Sequence, residues 1–424
     1  MIHRLLRREL PNWAIPTLYA LSAIATALVL PRIEGRLPPS FESSIGLASA
    51  TAIYTLIGSG MLGLTGIVFS LVFVMVQFSA VAYSPRLVLW IARDRVIWHS
   101  LGTFIATFLY SVAGLAWLDR NQSGKVPFLS SWLVIALLFA SVGMFIALVS
   151  RIAVLQINGM LSFTGDHGRK VIEKMYPPLN TPIASVESEQ FHNIPVTQVL
   201  LHRGRPRAIQ ALDAPSLVRL ASDADAMVEV ASSVGDTVVE GTVLLCVHGG
   251  RRRIKEDALR RGFEMGRERT FEQDPKYAIR LLVDIAIKAL SPAINDPTTA
   301  VQALDQIEDL LRRLGHRRLE VGAWRDAHDV LRVVLAGPTW EDFLILAFDE
   351  IRFCGAKSVQ VMRRMKALAS DLISALPEER RPPLYHYQQR LDATIARSFE
   401  DAEEKQEASI EDRQGLGVAR RGYH

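Results

Sequence analysis

Charge is missing from one long stretch of this chain, because Ser43–Pro85 contains no Asp, Glu, Lys or Arg. A helix needs about 20 apolar residues to cross the hydrocarbon core of a bilayer, and this stretch is roughly twice that length. It therefore predicts one long membrane span with membrane-associated flanks. Everything after Asp166 is dense in charge. The sequence thus predicts an integral membrane protein that carries a large soluble domain.

Cysteine is nearly absent, with only Cys246 and Cys354 among 424 residues. They are far apart and lack metal-ligand spacing, so we expect reduced thiols rather than a disulfide or a zinc site. The chain also lacks a glycine-rich phosphate loop, a His-Glu-x-x-His pair and a Gly-x-Ser-x-Gly elbow. These are local patterns of common nucleotide-binding and hydrolytic sites. We therefore predict neither a cofactor nor a metal.

Four membrane spans are predicted, at about 13–30, 50–80, 96–118 and 126–157, within a transmembrane domain over 1–165. Three arginines precede the first span and three separate the second from the third, whereas the other two loops carry two basic residues each. Because Lys and Arg accumulate on the cytoplasmic side, both termini are expected in the cytoplasm of a bacterial inner membrane. No charged residue stands mid-membrane, which argues against an ion-coupled transporter.

The second span is rich in glycine and ends in a polar segment. Small residues let helix backbones approach closely in lipid, so tight packing against a neighbouring span is the favoured interpretation. The alternative is a pore-lining or hinge helix, and a glycine-rich helix in an oligomer could serve both purposes. The candidate pore or hinge residues are Gly58, Gly60, Gly63, Gly66 and Gln77.

A short apolar segment with basic ends follows the second span. This pattern is typical of a helix that lies in the membrane interface, where it would act as a topological anchor. The alternative is a coupling elbow that transmits movement of the soluble domain to the second span. The elbow residues are Ser84, Pro85, Arg86, Arg93, Asp94 and Arg95.

The remaining chain is predicted to be a cytosolic α+β region. A linker helix and loop occupy 166–190, and alternating short strands predict a small β-barrel-like module over 191–250. Its glycine turns resemble those of lipoyl and biotinyl domains, but no lysine occurs between Lys174 and Lys255 to carry such a group. A helical domain is predicted over 251–410, with its last helix at about 384–407, followed by a disordered tail at 411–424.

Two Asp-Pro pairs predict helix starts, because aspartate caps a helix N-terminus and proline fits its first position. Helices are expected at about 275–290 and 297–314. Between them lies the signature turn, residues 291–298, favoured as a rigid helix–turn–helix corner. The alternative is a hard-cation site built from clustered oxygens. The turn comprises Ser291, Pro292, Asn295, Asp296, Pro297 and Thr298, and the possible ligand site nearby comprises Arg269, Gln273, Asp274 and Asp284.

These blocks carry a resemblance to a known family. Matching pieces include Ser84-Pro85-Arg86, Val234-Gly235-Asp236, Gln273-Asp274, Asn295-Asp296-Pro297 and Trp340-Glu341-Asp342. Together they resemble bacterial inner-membrane proteins described only as predicted membrane proteins of unknown function. The resemblance covers nearly the whole chain and implies a four-span membrane region with a cytosolic domain. It implies no established activity.

The overlong uncharged span, the basic elbow and the cytosolic domain together favour an oligomeric channel or conductance regulator. Two alternatives remain. One is a sensory or scaffold membrane protein that transports nothing. The other is a membrane-bound enzyme using Asp274, Asp284 and Asp296. The expected partners are the lipid bilayer, further copies of the chain and an unidentified small ligand or ion. Nucleic acid is not expected, because the basic residues crowd near membrane edges.

Overall fold

The computed structural model describes residues 13–34, 45–82, 94–120, 126–154, 157–181 and 194–417. The chain divides into two compact units, residues 1–159 and 160–424. We refer to them as the membrane unit and the C-terminal unit.

Four helices of the membrane unit are long and apolar enough to cross a bilayer, among the described residues. They are α1 (Ala14–Glu34), α2 (Leu47–Ala82), α3 (Arg95–Arg120) and α4 (Phe128–Val154). The four spans predicted from hydropathy are thereby confirmed. The chain is a membrane protein with four candidate spans.

Helix α3 forms the centre of the membrane unit and packs against α1, α2 and α4. In the most apolar stretch of α3, 44% of the residues are buried, against at most 22% in each of the other three helices. Small residues permit this packing, since Gly102 lies against the Tyr19 ring. Hydroxyls join α3 to α4, with Thr107 Oγ1 and Ser141 Oγ 2.9 Å apart. Close packing and interhelical hydrogen bonds are the usual stabilising contacts between helices in lipid.

The first span ends later than predicted. It was expected to stop at Pro31, yet α1 continues through Pro31 to Glu34. Proline removes one helical hydrogen bond but is tolerated in membrane helices where neighbouring groups compensate. Arg32 Nη1 donates to the Leu28 carbonyl at 2.8 Å, next to the Ala27 carbonyl whose helical donor Pro31 lacks. Glu34 Oε1 accepts from the Ser130 backbone N–H at 2.6 Å, so the additional turn of α1 caps the start of α4.

The C-terminal unit begins within α5 (Ile157–Met175), and its described residues form two sheets. The strands are β1 (Val196–Leu201), β2 (Arg207–Leu212), β3 (Ala226–Val230), β4 (Thr237–Val238), β5 (Val243–Gly249), β6 (Phe263–Gly266), β7 (Ala323–Arg325) and β8 (Leu331–Leu335). The five-stranded sheet has the order β1-β5-β3-β8-β7, and the three-stranded sheet has the order β4-β2-β6.

Three strands lie in the region predicted to be purely helical. Strand β6 pairs with β2, and β8 pairs in parallel with β3, placing Val333 opposite Val228. Strand β7 completes the same sheet as a hairpin with β8. These strands have three to five residues each. Runs this short show little alternation of apolar and polar residues. Their pairing with neighbouring strands, rather than their own sequence, makes them strands.

Eight α-helices follow α5 among the described residues of this unit. They are α6 (Ala214–Ala224), α7 (Glu256–Arg260), α8 (Pro275–Ala289), α9 (Pro297–Gly315), α10 (Trp340–Cys354), α11 (Val359–Ala375), α12 (Pro382–Ser398) and α13 (Ala402–Ser409). The helix predicted at 384–407 is two helices. The backbone becomes extended at Phe399, whose side chain is buried, and α12 ends there.

The predicted disordered tail differs from the structure over its first seven residues. Arg413 forms a bidentate pair with Asp371 of α11, at 2.7 and 2.8 Å. Asp412 accepts hydrogen bonds from the backbone N–H groups of Gln414 and Gly417. Gly417 lies against the guanidinium of Arg363. Residues 411–417 are therefore held on α11, and 418–424 lie outside the described residues.

Candidate functional site

A pocket of about 90 Å³ lies in the C-terminal unit where the β-sheets meet the start of α8. Its walls are mostly aliphatic and aromatic. The lining includes the end of α5, the end of β2, the 233–234 turn, the start of α8 and the segments 319–324 and 335–338. Concave, mostly apolar pockets with few polar groups are the usual binding sites for small molecules. Gln273 and Asp274, predicted as ligand residues, line this pocket.

Asp274 caps α8 and is 1% exposed. Its Oδ1 accepts from the Tyr277 backbone N–H at 3.1 Å, as the Asp-Pro pair predicted. Its Oδ2 pairs with Arg269, whose Nη2 lies 2.7 Å away. The guanidinium of Arg269 also stacks over the Tyr277 ring, 5.2 Å from the centroid. Both oxygens of the carboxylate are therefore already bonded within the protein.

The close approach of Gly235 to this ion pair is a contact that the sequence did not indicate. Gly235 has φ +94°, and a Cβ on it would overlap the Asp274 carboxylate. Only glycine fits a position that combines a left-handed backbone with such proximity. Burial raises the pKa of Asp274, although the Arg269 charge opposes that shift. The arrangement joins the β-sheet turn to the start of α8, and both oxygens of Asp274 contribute to that connection.

Gln273 pairs with the backbone of β2. Its Oε1 accepts from the Leu212 N–H at 3.0 Å, and its Nε2 donates to the Leu212 carbonyl at 3.4 Å. The amide thereby satisfies both backbone groups of one strand residue, as a neighbouring strand would. Gln273 therefore lines the pocket with its amide held against β2.

Asp284 lies elsewhere. Ten residues after Asp274 along α8, it is about 15 Å further along the helix axis. It accepts from Arg280 Nε at 2.7 Å, and Arg280 Nη2 also donates to Glu350 of α10 at 2.9 Å. The bond from Arg280 lowers the pKa of Glu350. The four predicted ligand residues thus divide between two separate clusters.

The signature turn is an exposed corner between α8 and α9. Asp296 caps α9, with Oδ1 accepting from the Thr299 N–H at 3.1 Å and Oδ2 from the Thr299 hydroxyl at 2.5 Å. Asn295 has φ +49°, and its N–H bonds to the Ser291 carbonyl at 2.9 Å. Both Asp-Pro helix starts are confirmed. Among the described residues, no cluster of three His, Cys, Asp or Glu side chains could hold a metal ion.

The glycines of α2 face different surroundings. Gly58 is buried, and a Cβ on it would lie 3.4 Å from Ser111 Cβ of α3. Gly60, Gly63 and Gly66 are exposed and have no atom within 4 Å of such a Cβ. Gln77, near the end of α2, is exposed as well. One glycine therefore packs inside the unit and three do not.

The predicted elbow is mostly outside the described residues, which exclude Ser84, Pro85, Arg86 and Arg93. Asp94 and Arg95 are described, and Asp94 Oδ1 accepts from the Val96 N–H at 2.8 Å at the start of α3. Arg151 of α4 pairs with Asp94 at 3.2 Å. Asp94 therefore links the start of α3 to the end of α4.

Four apolar helices followed by a mixed α/β unit define the class of protein, a four-span membrane protein with a large C-terminal unit. Residues 11–370 match the family described as "Predicted membrane protein (DUF2254)", and the chain belongs to this family. The family resemblance drawn from the sequence is thereby confirmed.

The curated relatives are mycobacterial. An uncharacterized protein of Mycobacterium bovis is 26% identical over 371 residues, which cover 84% of this chain and 71% of that protein. Uncharacterized proteins from two strains of Mycobacterium tuberculosis match with the same identity and coverage. No solved structure matches the chain.

Proposed function

We propose that this protein is an oligomeric channel or conductance regulator of the bacterial inner membrane, with both termini and a regulatory C-terminal unit in the cytoplasm. The observation that carries the proposal is an exposed stripe of small and polar residues on α2. We call it the α2 stripe, and it consists of Ser59, Gly63, Gly66, Ser70 and Gln77.

The geometry of the α2 stripe supports self-association. At 100° per residue its five positions fall within about 60° of the helical wheel. All five are exposed in the single chain, and Phe69 and Phe73 next to it are also exposed. Small residues on an exposed helix face permit close contact with another helix in lipid. Two hydroxyls and one amide along the same line would also suit a wet path.

The cavity described between the helices of a single chain is small. Helix α3 occupies the centre of the membrane unit, and a cavity lined by Tyr54, Tyr110 and Gly114 measures about 10 Å³. A cavity must hold about 10–15 Å³ to accept one water molecule. Conduction would therefore require several copies, with the α2 stripe facing the shared axis.

Single-cysteine variants test the proposal in liposomes, after Cys246 and Cys354 have been changed to serine. Gly63→Cys and Ser70→Cys should form intermolecular disulfides, and a bulky thiol reagent at Ser70→Cys should block ion flux. Phe139→Cys, on the exposed face of α4, is the matched control and should do neither.

Two outcomes would contradict the channel. A strict monomer without ion flux would contradict both the self-association and the conduction that we propose. Disulfides through the α2 stripe without flux under any voltage or ion gradient would instead support a non-conducting sensory or scaffold oligomer.

A further inference from the structure

The pocket at the start of α8 has a chemical character that points to one class of ligand. Its walls include the rings of Tyr176 and Trp324 and the aliphatic side chains of Val234 and Leu335. An apolar cavity of about 150 Å³ holds a benzene ring. A pocket of about 90 Å³ that opens to solvent suits part of one ring or a short alkyl chain, with the rest of the ligand outside.

The charge at the pocket is positive. Of the described residues that line it, Asp274 and Lys276 are charged. The Asp274 carboxylate is neutralised by its ion pair with Arg269, at 2.7 Å. Lys276 is half-buried; its charge also acts on Asp274, but it forms no ion pair with any described residue. One cation therefore remains at the edge of an apolar pocket.

Two other polar side chains of the lining, Gln273 and Ser233, are already bonded within the protein. Gln273 is engaged with Leu212, and the Ser233 hydroxyl donates to the Ala336 carbonyl at 3.2 Å. The Ser233 bond ties the 233–234 turn to the 335–338 segment, so that two walls are held together. A ligand gains little from new polar contacts with these groups and most from apolar burial and Lys276.

We propose that this pocket binds small organic carboxylates, with the aromatic or alkyl body between Trp324 and Leu335 and the carboxylate beside Lys276. Burial of the apolar body supplies most of the binding free energy, and Lys276 distinguishes the anion from a neutral molecule of the same shape. The site does not depend on whether the membrane unit conducts, since binding is measured on the purified chain.

Fluorine NMR of the detergent-solubilised full chain tests this site, with 4-fluorobenzoate as the probe and 4-fluorobenzyl alcohol as its neutral match. Saturable binding of 4-fluorobenzoate is expected. Lys276→Gln should weaken it about five-fold, the effect of losing a partly exposed ion pair. The same variant should change the binding of the alcohol less than two-fold. Lys357→Gln, an exposed lysine outside the pocket, is the matched control and should bind both probes normally.

A pocket-filling variant separates this site from partition into detergent. Ala336 lines the pocket and is exposed, so Ala336→Phe should leave the fold intact and abolish binding of both probes. Non-saturable signals in every variant would overturn the proposal. Equal binding of 4-fluorobenzoate to wild type and Lys276→Gln would overturn the assignment of the carboxylate to Lys276.

Discussion

At the scale of single residues, two aspartates with the same local sequence have different surroundings. Asp296 caps α9 on an exposed corner, where its carboxylate accepts from the N–H and the hydroxyl of Thr299. Asp274 caps α8 in the interior and also pairs with Arg269. Their Asp-Pro contexts predict the same cap, and the additional role of Asp274 comes from a residue five positions earlier.

Substitutions at these two aspartates should therefore differ. Asp296→Asn should be mild because asparagine caps about as well, whereas Asp296→Ala should cost on the order of 1 kcal/mol. Asp274→Asn should cost about 2 kcal/mol, since it removes the charged partner of Arg269. Thermal unfolding of the solubilised chain ranks the three. Loss of function confined to Asp296→Asn, with unchanged unfolding temperature, would indicate a cation site at the signature turn instead.

Gly235 must be glycine for two reasons, its positive φ and its contact with Asp274. Gly241 shares only the first reason, so comparing the two glycines isolates the contact. Gly235→Ala and Gly241→Ala both place alanine at positive φ, +94° and +84°, which costs about 1–3 kcal/mol each. Only Gly235→Ala also displaces Asp274, since Gly241 has no atom within 4 Å of a new Cβ. Gly235→Ala should lower the unfolding temperature more. Equal losses would show that the contact with Asp274 contributes nothing.

At the scale of elements, the C-terminal segment 411–417 is attached mainly through one side-chain pair. The bond from Arg413 lowers the pKa of Asp371. A carboxyl whose pKa is lowered in the folded state contributes stability above its unfolded pKa of about 3.9, and this is lost as the pH falls through the folded value. Attachment of the segment should therefore be complete at neutral pH.

Hydrogen exchange of the 411–417 amides measures this attachment. Asp371→Asn should speed exchange at pH 7, and wild-type protection should fall only below about pH 4. Asp392→Asn is the control, because it removes the neighbouring pair with Lys366 without touching Arg413. Protection that survives in Asp371→Asn would mean that the glycine contacts with α11 hold the segment by themselves.

At the scale of the whole molecule, orientation in the membrane is the prediction that most constrains function. Arginine counts predict that the N-terminus, the segment after the second span and the C-terminus lie on the cytoplasmic side. Alkaline phosphatase fused after residue 424 should be inactive, and the same enzyme inserted between α1 and α2, within 35–44, should be active. An active fusion at residue 424 would place the C-terminal unit outside the cytoplasm and remove the proposed regulatory role.

Local sequence determined the parts of this protein that depend on short-range physics. Four apolar runs with no charge at mid-span predicted four spans, because a helix is one of the few structures that satisfies its backbone in a bilayer. Two Asp-Pro pairs predicted the starts of α8 and α9 to the residue. Alternating apolar residues predicted strands β1 to β5. In each case the neighbours along the chain supply the deciding interaction.

Tertiary structure decided what depends on residues distant in sequence. Helix α1 continues past Pro31 because Glu34 caps α4, 96 positions away. Gln273 and Asp274 are fixed at the pocket by tertiary contacts, since Leu212 bonds to the Gln273 amide and Arg269 pairs with the Asp274 carboxylate. Strand β8 exists because β3 offers it an edge. The pocket beside Lys276 is bounded by segments between residues 175 and 338, so no local pattern could reveal it.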